Sequence, residues 1–343
     1  MMATSNEELW SEENRSRRKL FRRALTFLVS LIVIIGLFCF WLAQPLLLNS
    51  AKSAPAMTVD GERLKLHVSK ISDEFYPRNH LNLQNLDLTA GYIRSEFEKT
   101  GGRVSEQKFV VNGAEYKNIL LELGNDEANG RIVIGAHYDA AFDTHGADDN
   151  ASGVAGLIEL AHLVSKQKLS KKVEFVAYSL EEPPFFATEQ MGSFVHARSL
   201  RENDVRVKLM ICLEMIGYYT DEPGSQNFPL FLGRLLYPST GNFVAVVGNF
   251  ANVNSVRRVK GKMYEVDGLE TYSLNAPSFF GGVGLSDHRN YWENGYDAIM
   301  VTDTAFFRNK AYHTVNDKAD RLDYNRMAKV VDGVNRAIVE TAK

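Results

Sequence analysis

Only two cysteines occur in 343 residues, Cys39 and Cys212. Cys39 falls inside a strongly apolar run, so no intramolecular disulfide is expected and the fold must rest on its core. Cysteine usage this sparse says little about redox compartment. Positive charge is not in excess either: 39 Lys and Arg stand against 42 Asp and Glu, a net charge of −3. That leaves no basic footprint for nucleic acid. Beyond residue 60 there is no second linker, no low-complexity tract and no internal repeat, which leaves one large domain. The apolar share of 45% is ordinary for a protein with a sizeable core.

What the chain does have is a single long apolar run. Residues 24–48 carry no charged side chain and are long enough to cross a bilayer as a helix. Arg15, Arg17, Arg18, Lys19, Arg22 and Arg23 lie just before it. The positive-inside tendency keeps that cluster cytoplasmic and sends everything after Leu48 to the extracytoplasmic side, with Trp41 as an interfacial anchor. A cleaved signal peptide, with Ala54-Pro55-Ala56 as the cleavage site, is the competing reading; its apolar region would be shorter than this one. The expected organisation is a basic N-terminus (1–23), a membrane helix (24–48), a small polar linker (49–60) and a catalytic domain (61–343).

Within that domain strand-like and helix-like patterns alternate. The 3.6-residue spacing of apolar positions predicts a helix over 86–99, stopped by Gly101-Gly102. Strands are expected over 107–111, 118–123, 131–136, 173–180, 208–213 and 298–302, with a helix over 153–165. The alternation implies an α/β fold, with a mostly parallel mixed sheet flanked by helices. In such sheets ligands gather beyond the carboxyl ends of strands. His137, the pair Glu181-Glu182 and Glu214 each follow an apolar strand at that end.

Those residues carry metal chemistry as a set. His137 with Asp139 suits a metal-bound imidazole oriented by a carboxylate, or a histidine partnered by its neighbour in a turn. Asp148-Asp149 lies in a glycine-bounded loop entering a helix, where Asn150 and Ser152 could equally be an ordinary cap. Two acids at the mouth of a buried strand, Glu181 and Glu182, would repel unless a cation compensates. One of them could bind the metal while the other serves as base. His313 completes a nitrogen and oxygen donor set of the kind zinc takes.

In their order these segments resemble peptidase family M28, from about Asn82 to the C-terminus. The resemblance rests on GAHYDAAFDTHGADDNASGVAGLIELA (135–161), SLEE (179–182), MGS (191–193), LEMIGY (213–218), SDH (286–288) and YHTVNDKADRLD (312–323). It implies a site for two zinc ions: His137 and Glu214 on one, Glu182 and His313 on the other, and Asp148 bridging them. Glu181 is implied as general base toward a metal-bridging water, and Asp139 as the group that orients His137. Tyr312 is a candidate donor to the oxyanion. A cis peptide is implied after the bridging aspartate, at Asp148-Asp149. The activity implied is an aminopeptidase acting on peptides. A glutaminyl-cyclase-like acyltransferase with one zinc, and a non-catalytic binding relative, are the alternatives. Glu214 stands where many members have aspartate. An extended loop, Pro183 to Gln190, is expected to shape the substrate pocket, with Phe279-Phe280 and Phe306-Phe307 as further apolar walls. His145 could line the cleft and His288 could support it. His67, His80, His162 and His196 are expected to be structural. Oligomeric state is not legible.

Overall fold

A computed structural model describes residues 6–43, 59–124, 130–229 and 233–342. The chain opens with helix α1 (Asn6–Ala43), which joins the basic segment and the apolar run into one rod. Its stretch Asn14–Trp41 is long and apolar enough to cross a membrane. The expected end of that span at Leu48 and nearly all of the linker lie outside the described residues.

Helices α2 (Gly61–Ser69) and α3 (Leu83–Glu98) lead into the hairpin β1 (Arg103–Val111) and β2 (Ala114–Leu123). Then come β3 (Arg131–His137), α4 (Gly153–Val164), β4 (Val173–Tyr178), α5 (Gly192–Glu202), β5 (Val207–Glu214) and the short α6 (Gly233–Leu236). The remainder is β6 (Val244–Gly248), α7 (Val253–Tyr264), β7 (Thr271–Asn275), α8 (His288–Glu293), β8 (Ala298–Thr302) and α9 (Tyr324–Ala342).

Among the described residues eight strands form one mixed sheet in the order β1-β2-β4-β3-β5-β8-β6-β7. Strands β4, β3, β5 and β8 run parallel, the hairpin adds antiparallel at one side, and β6 meets β8 antiparallel at the other. The expected class holds, including the mix of directions. β3, β4 and β5 are buried along nearly their whole length, which is why they read as continuous apolar runs in sequence. The larger core lies on one face, under α2, α3, α4, α7 and α9, and a smaller one lies under α5 and α8. The chain winds from β3 to β4 on one side and to β5 on the other. The carboxyl end of β3 is therefore the crevice where such sheets bind ligands.

Candidate metal centre

Four strand-end segments converge on that crevice. His137 ends β3 with its ring fully buried. Its Nδ1 lies 3.5 Å from Oδ1 of Asp139. Asp139 also accepts the backbone N–H groups of Glu181 and Glu182, at 3.2 and 3.1 Å. One carboxylate thus stands beside the imidazole and holds the turn that follows β4. Left-handed backbone occurs beside three of the site segments, at Leu180 (φ 61°) before Glu181, at Met215 (φ 48°) after Glu214 and at His313 itself (φ 55°). Non-glycine residues held there cost of order 1–3 kcal/mol each, and such positions cluster at functional sites.

Around Nε2 of His137 stand Glu214 Oε2 at 3.3 Å, Asp149 Oδ1 at 3.5 Å and Glu181 Oε2 at 3.7 Å. Around Nε2 of His313 stand Asp149 Oδ2 at 3.1 Å and Glu182 Oε2 at 3.2 Å. Asp149 therefore offers one oxygen to each imidazole. The aspartate that faces both imidazoles is Asp149, and not Asp148, to which the resemblance gave the bridging role. Asp148 turns the other way: Oδ1 accepts the Gly217 N–H at 3.0 Å, and Oδ2 accepts the Asn309 amide at 2.8 Å. The cis peptide is correspondingly Asp149-Asn150 rather than Asp148-Asp149. Gly146 permits this loop, since its φ of 53° is left-handed and a Cβ there would strike the Asp149 carbonyl.

Both nitrogens of His137, Nε2 of His313, Oδ2 of Asp149 and Oε1 of Glu182 are buried without a hydrogen-bond partner. Buried polar atoms are seldom left so. The acids and imidazoles here form three overlapping donor groups, His137-Asp149-Glu214, His137-Glu181-Glu182 and Asp149-Glu182-His313, and within each the ligand atoms lie within 4.8 Å of one another. Imidazole nitrogens with carboxylate oxygens suit zinc. Without a cation the cluster holds protons instead. Burial would lower the His137 value, but the Glu181 and Glu214 charges overcome it and raise it well above normal. Burial likewise disfavours charge on His313, yet the Asp149 and Glu182 carboxylates beside it bring it to about 10. Burial pushes Glu182 up to about 8, reinforced by Asp149, and pushes Glu181 well up against the pull of His137. Burial also opposes charge on Asp149, but the two histidines beside it hold it below the usual range.

Several further groups support the site. Ser286 donates to Glu214 Oε2 at 2.6 Å. Asn150 accepts the Gly153 and Met215 N–H groups, so it does cap α4 while tying it to the end of β5. Asp317 accepts the N–H groups of both Asp148 and Asp149. Arg78, fully buried, donates to the carbonyls of Tyr138, His145 and Gly146. Of these, Asp317 lies within the 312–323 motif, yet nothing in the motif tells that it binds backbone.

The remaining candidates divide. Tyr312 stacks on His313 at 3.8 Å and lines a cavity of about 120 Å³ that opens to solvent. Burial and the Asp149 and Glu182 charges raise its hydroxyl, which stays protonated. The cavity runs from Glu214 and Tyr312 along β6, β7 and β8, and Phe306 and Phe307 form part of its wall as expected. From the other aromatic pair, only the following Gly281 and Gly282 reach it. The loop after Glu182 does not line it. Phe185 is buried edge-on to His80 and Tyr116, and Phe186 sits under the Arg289 guanidinium. The hydrophobic effect draws Phe185 into the core instead of the cleft. His145 stacks on Tyr76, away from the cluster. His288 bonds the Val283 carbonyl, and burial takes it down to about 4, so it is neutral.

Known proteins sort this arrangement. The sequence pattern of peptidase family M28 matches residues 118–338. The chain belongs to peptidase family M28. This M28 member is thus a zinc metallopeptidase, a hydrolase of peptide bonds. It is 46% identical over 317 residues to the uncharacterized protein YfbL of Escherichia coli K12, covering 90% of this chain and 95% of that one. Its fold is that of BSAP, a zinc aminopeptidase from Bacillus subtilis (TM-score 0.67, 15% identity, 84% of this chain and 97% of that one). It is also that of a glutaminyl cyclase from Bacteroides thetaiotaomicron (TM-score 0.64, 18% identity, 85% of this chain and all of that one). The M28 match begins at Asn118, so Arg78 and the helices before β1 lie ahead of it.

Proposed function

We propose that this M28 protein is an aminopeptidase with two zinc ions, anchored in a membrane by α1 with its catalytic domain on the extracytoplasmic side. The observation that carries the two-metal reading is Asp149, whose two oxygens face two different imidazoles, Oδ1 toward His137 and Oδ2 toward His313. His137 and Glu214 would hold one ion, Glu182 and His313 the other. When bound, the pair supplies Lewis acidity to the water and to the scissile carbonyl. BSAP, an aminopeptidase of the same fold, supports the exopeptidase reading.

The protein's own groups then divide the work. Glu181 lies 3.7 Å from His137 and is placed to take a proton from the attacking water. As the C–N bond breaks, Glu181 returns that proton to the departing amine, so the cycle closes with no net proton uptake. Asp139 keeps His137 in one tautomer and fixes the Glu181-Glu182 backbone. The Tyr312 hydroxyl, kept protonated, is a donor for the oxyanion. The apolar cavity beside Glu214 would receive the side chain of the first substrate residue, with Phe243, Tyr272 and Phe307 among its walls.

Elemental analysis of protein purified without chelator tests the reading. Two zincs per chain are expected, both retained by Glu181→Gln while turnover falls by about 10²–10⁴. One zinc after metal is added back would favour the single-metal cyclase. Wild-type turnover in Glu181→Gln would remove the base from Glu181.

A further inference from the structure

The anchor helix does not leave the catalytic domain alone. The last turns of α1 pack along β7. Phe38 stacks with Trp41 at 6.1 Å and meets Phe250 edge-on at 6.3 Å. The Tyr237 hydroxyl donates to the Ser273 carbonyl of that same strand at 2.7 Å. Trp41 closes the span Asn14–Trp41, and aromatic side chains at such an end sit at headgroup level. Phe250 and Tyr237 therefore lie within about one helical turn of that depth.

Both belong to segments with an unusual surface. Leu235, two residues before Tyr237, is 68% exposed, and Phe250 is 44% exposed despite its contact with Phe38. Arg234 adjoins Leu235, while Arg257 and Arg258 are solvent-facing on α7, which starts three residues after Phe250. None of these three arginines has an ion-pair partner among the described residues. Large apolar side chains mixed with uncompensated basic ones make a membrane-interface composition, one part entering the acyl boundary and the other meeting anionic headgroups.

We propose that the face formed by α6, Phe250 and the exposed side of α7 rests on the headgroup layer of the bilayer that α1 crosses. Leu235 and Phe250 are its apolar anchors, and Arg234, Arg257 and Arg258 face lipid phosphates. This rests on reading α1 as a membrane span. Tyr237 and Phe228, stacked on each other at 5.8 Å, both line the cavity beside the metal centre. One wall of the substrate pocket is thereby held against the membrane surface, which favours peptides whose apolar first residue is already at that surface.

The test uses the full chain in nanodiscs containing anionic lipid, with Cys39→Ser and the buried Cys212 left in place. Nitroxide labels go on Leu235→Cys and Phe250→Cys, with Val33→Cys inside the span and Val110→Cys at the far edge of the sheet as references. Relaxation by oxygen, which concentrates in lipid, is compared with relaxation by a water-soluble nickel chelate. Positions 235 and 250 should resemble position 33 more than position 110. Combined Arg234→Glu, Arg257→Glu and Arg258→Glu should shift them toward position 110. If 235 and 250 match 110 while 33 reports lipid, the docked face is overturned and the span stands. If 33 itself meets the chelate, the span fails and the docked face with it. Neither result bears on zinc content, so the metal-centre reading is judged separately.

Discussion

Replacing Asp149 by alanine removes a carboxylate from between two imidazoles, whereas Asp148→Asn alters a group that never faces them. Asp149→Ala should release both metals, as measured by elemental analysis after dialysis. Asp148→Asn should keep them and cost about 1–3 kcal/mol of stability through its disturbed buried hydrogen bonds. Burial and the neighbouring Asp303 already raise Asp148 well above the carboxylate range, so losing its charge changes little. A zinc-free Asp148→Asn protein would return the bridging role to Asp148. Most site residues were legible because each ends or follows an apolar strand, a pattern readable at His137, Glu181, Glu182 and Glu214. The choice between two adjacent aspartates was not. It depends on backbone torsions set by Gly146, Arg78 and Asp317, which are distant in sequence and meet only in the folded loop. Phe185 misled for a related reason, since an aromatic near the metals reads as pocket until Tyr116 and His80 are seen to cover it.

The strands that carry the site depend on close packing behind it. Gly135 sits in β3, where a Cβ would strike the ring of Tyr178 on β4. That ring is pinned by a 2.7 Å bond to the Tyr291 hydroxyl, which also meets His196 at 2.6 Å. Gly135→Ala should therefore destabilise by about 1–3 kcal/mol, visible as a lower melting temperature, while the folded fraction keeps its zinc. An unchanged melting temperature would mean that Tyr178 and Tyr291 move together at no cost. The central elements were foreseen within a few residues, including β8 over 298–302 and α4 over 153–164. β6 and β7 were not. VAVVG is a five-residue apolar run that suits strand or buried helix equally, and TYSLN alternates too briefly to stand out. The pairing of β6 with β8 and of β7 with β6 comes from tertiary contact, and it is they that provide one side of the cavity.

Acid stability of the whole molecule should depend on a charge network away from the metals. Glu174 in β4 is fully buried, which alone would raise it, but His196 and Arg131 bring it from 4.5 to about 2. A folded value below the unfolded one stabilises above the unfolded value, and that contribution is lost as pH falls from 4.5 toward 2. Glu174→Gln should cost about 1–3 kcal/mol at neutral pH by removing the carboxylate 2.9 Å from Arg131, which keeps Glu122 at 3.5 Å, and should flatten this part of the acid profile. Denaturant titrations of both proteins at successive pH values check it; parallel profiles would assign the acid loss to other carboxylates.

At the same scale, β7 is the last strand of the sheet, and its outer side faces α1 where another strand would otherwise pair. Cutting the chain after α1 would do more than release the domain from a membrane. It would leave a row of backbone donors and acceptors open to any extended segment in solution, and the fragment would tend to pair with its own copies along that edge.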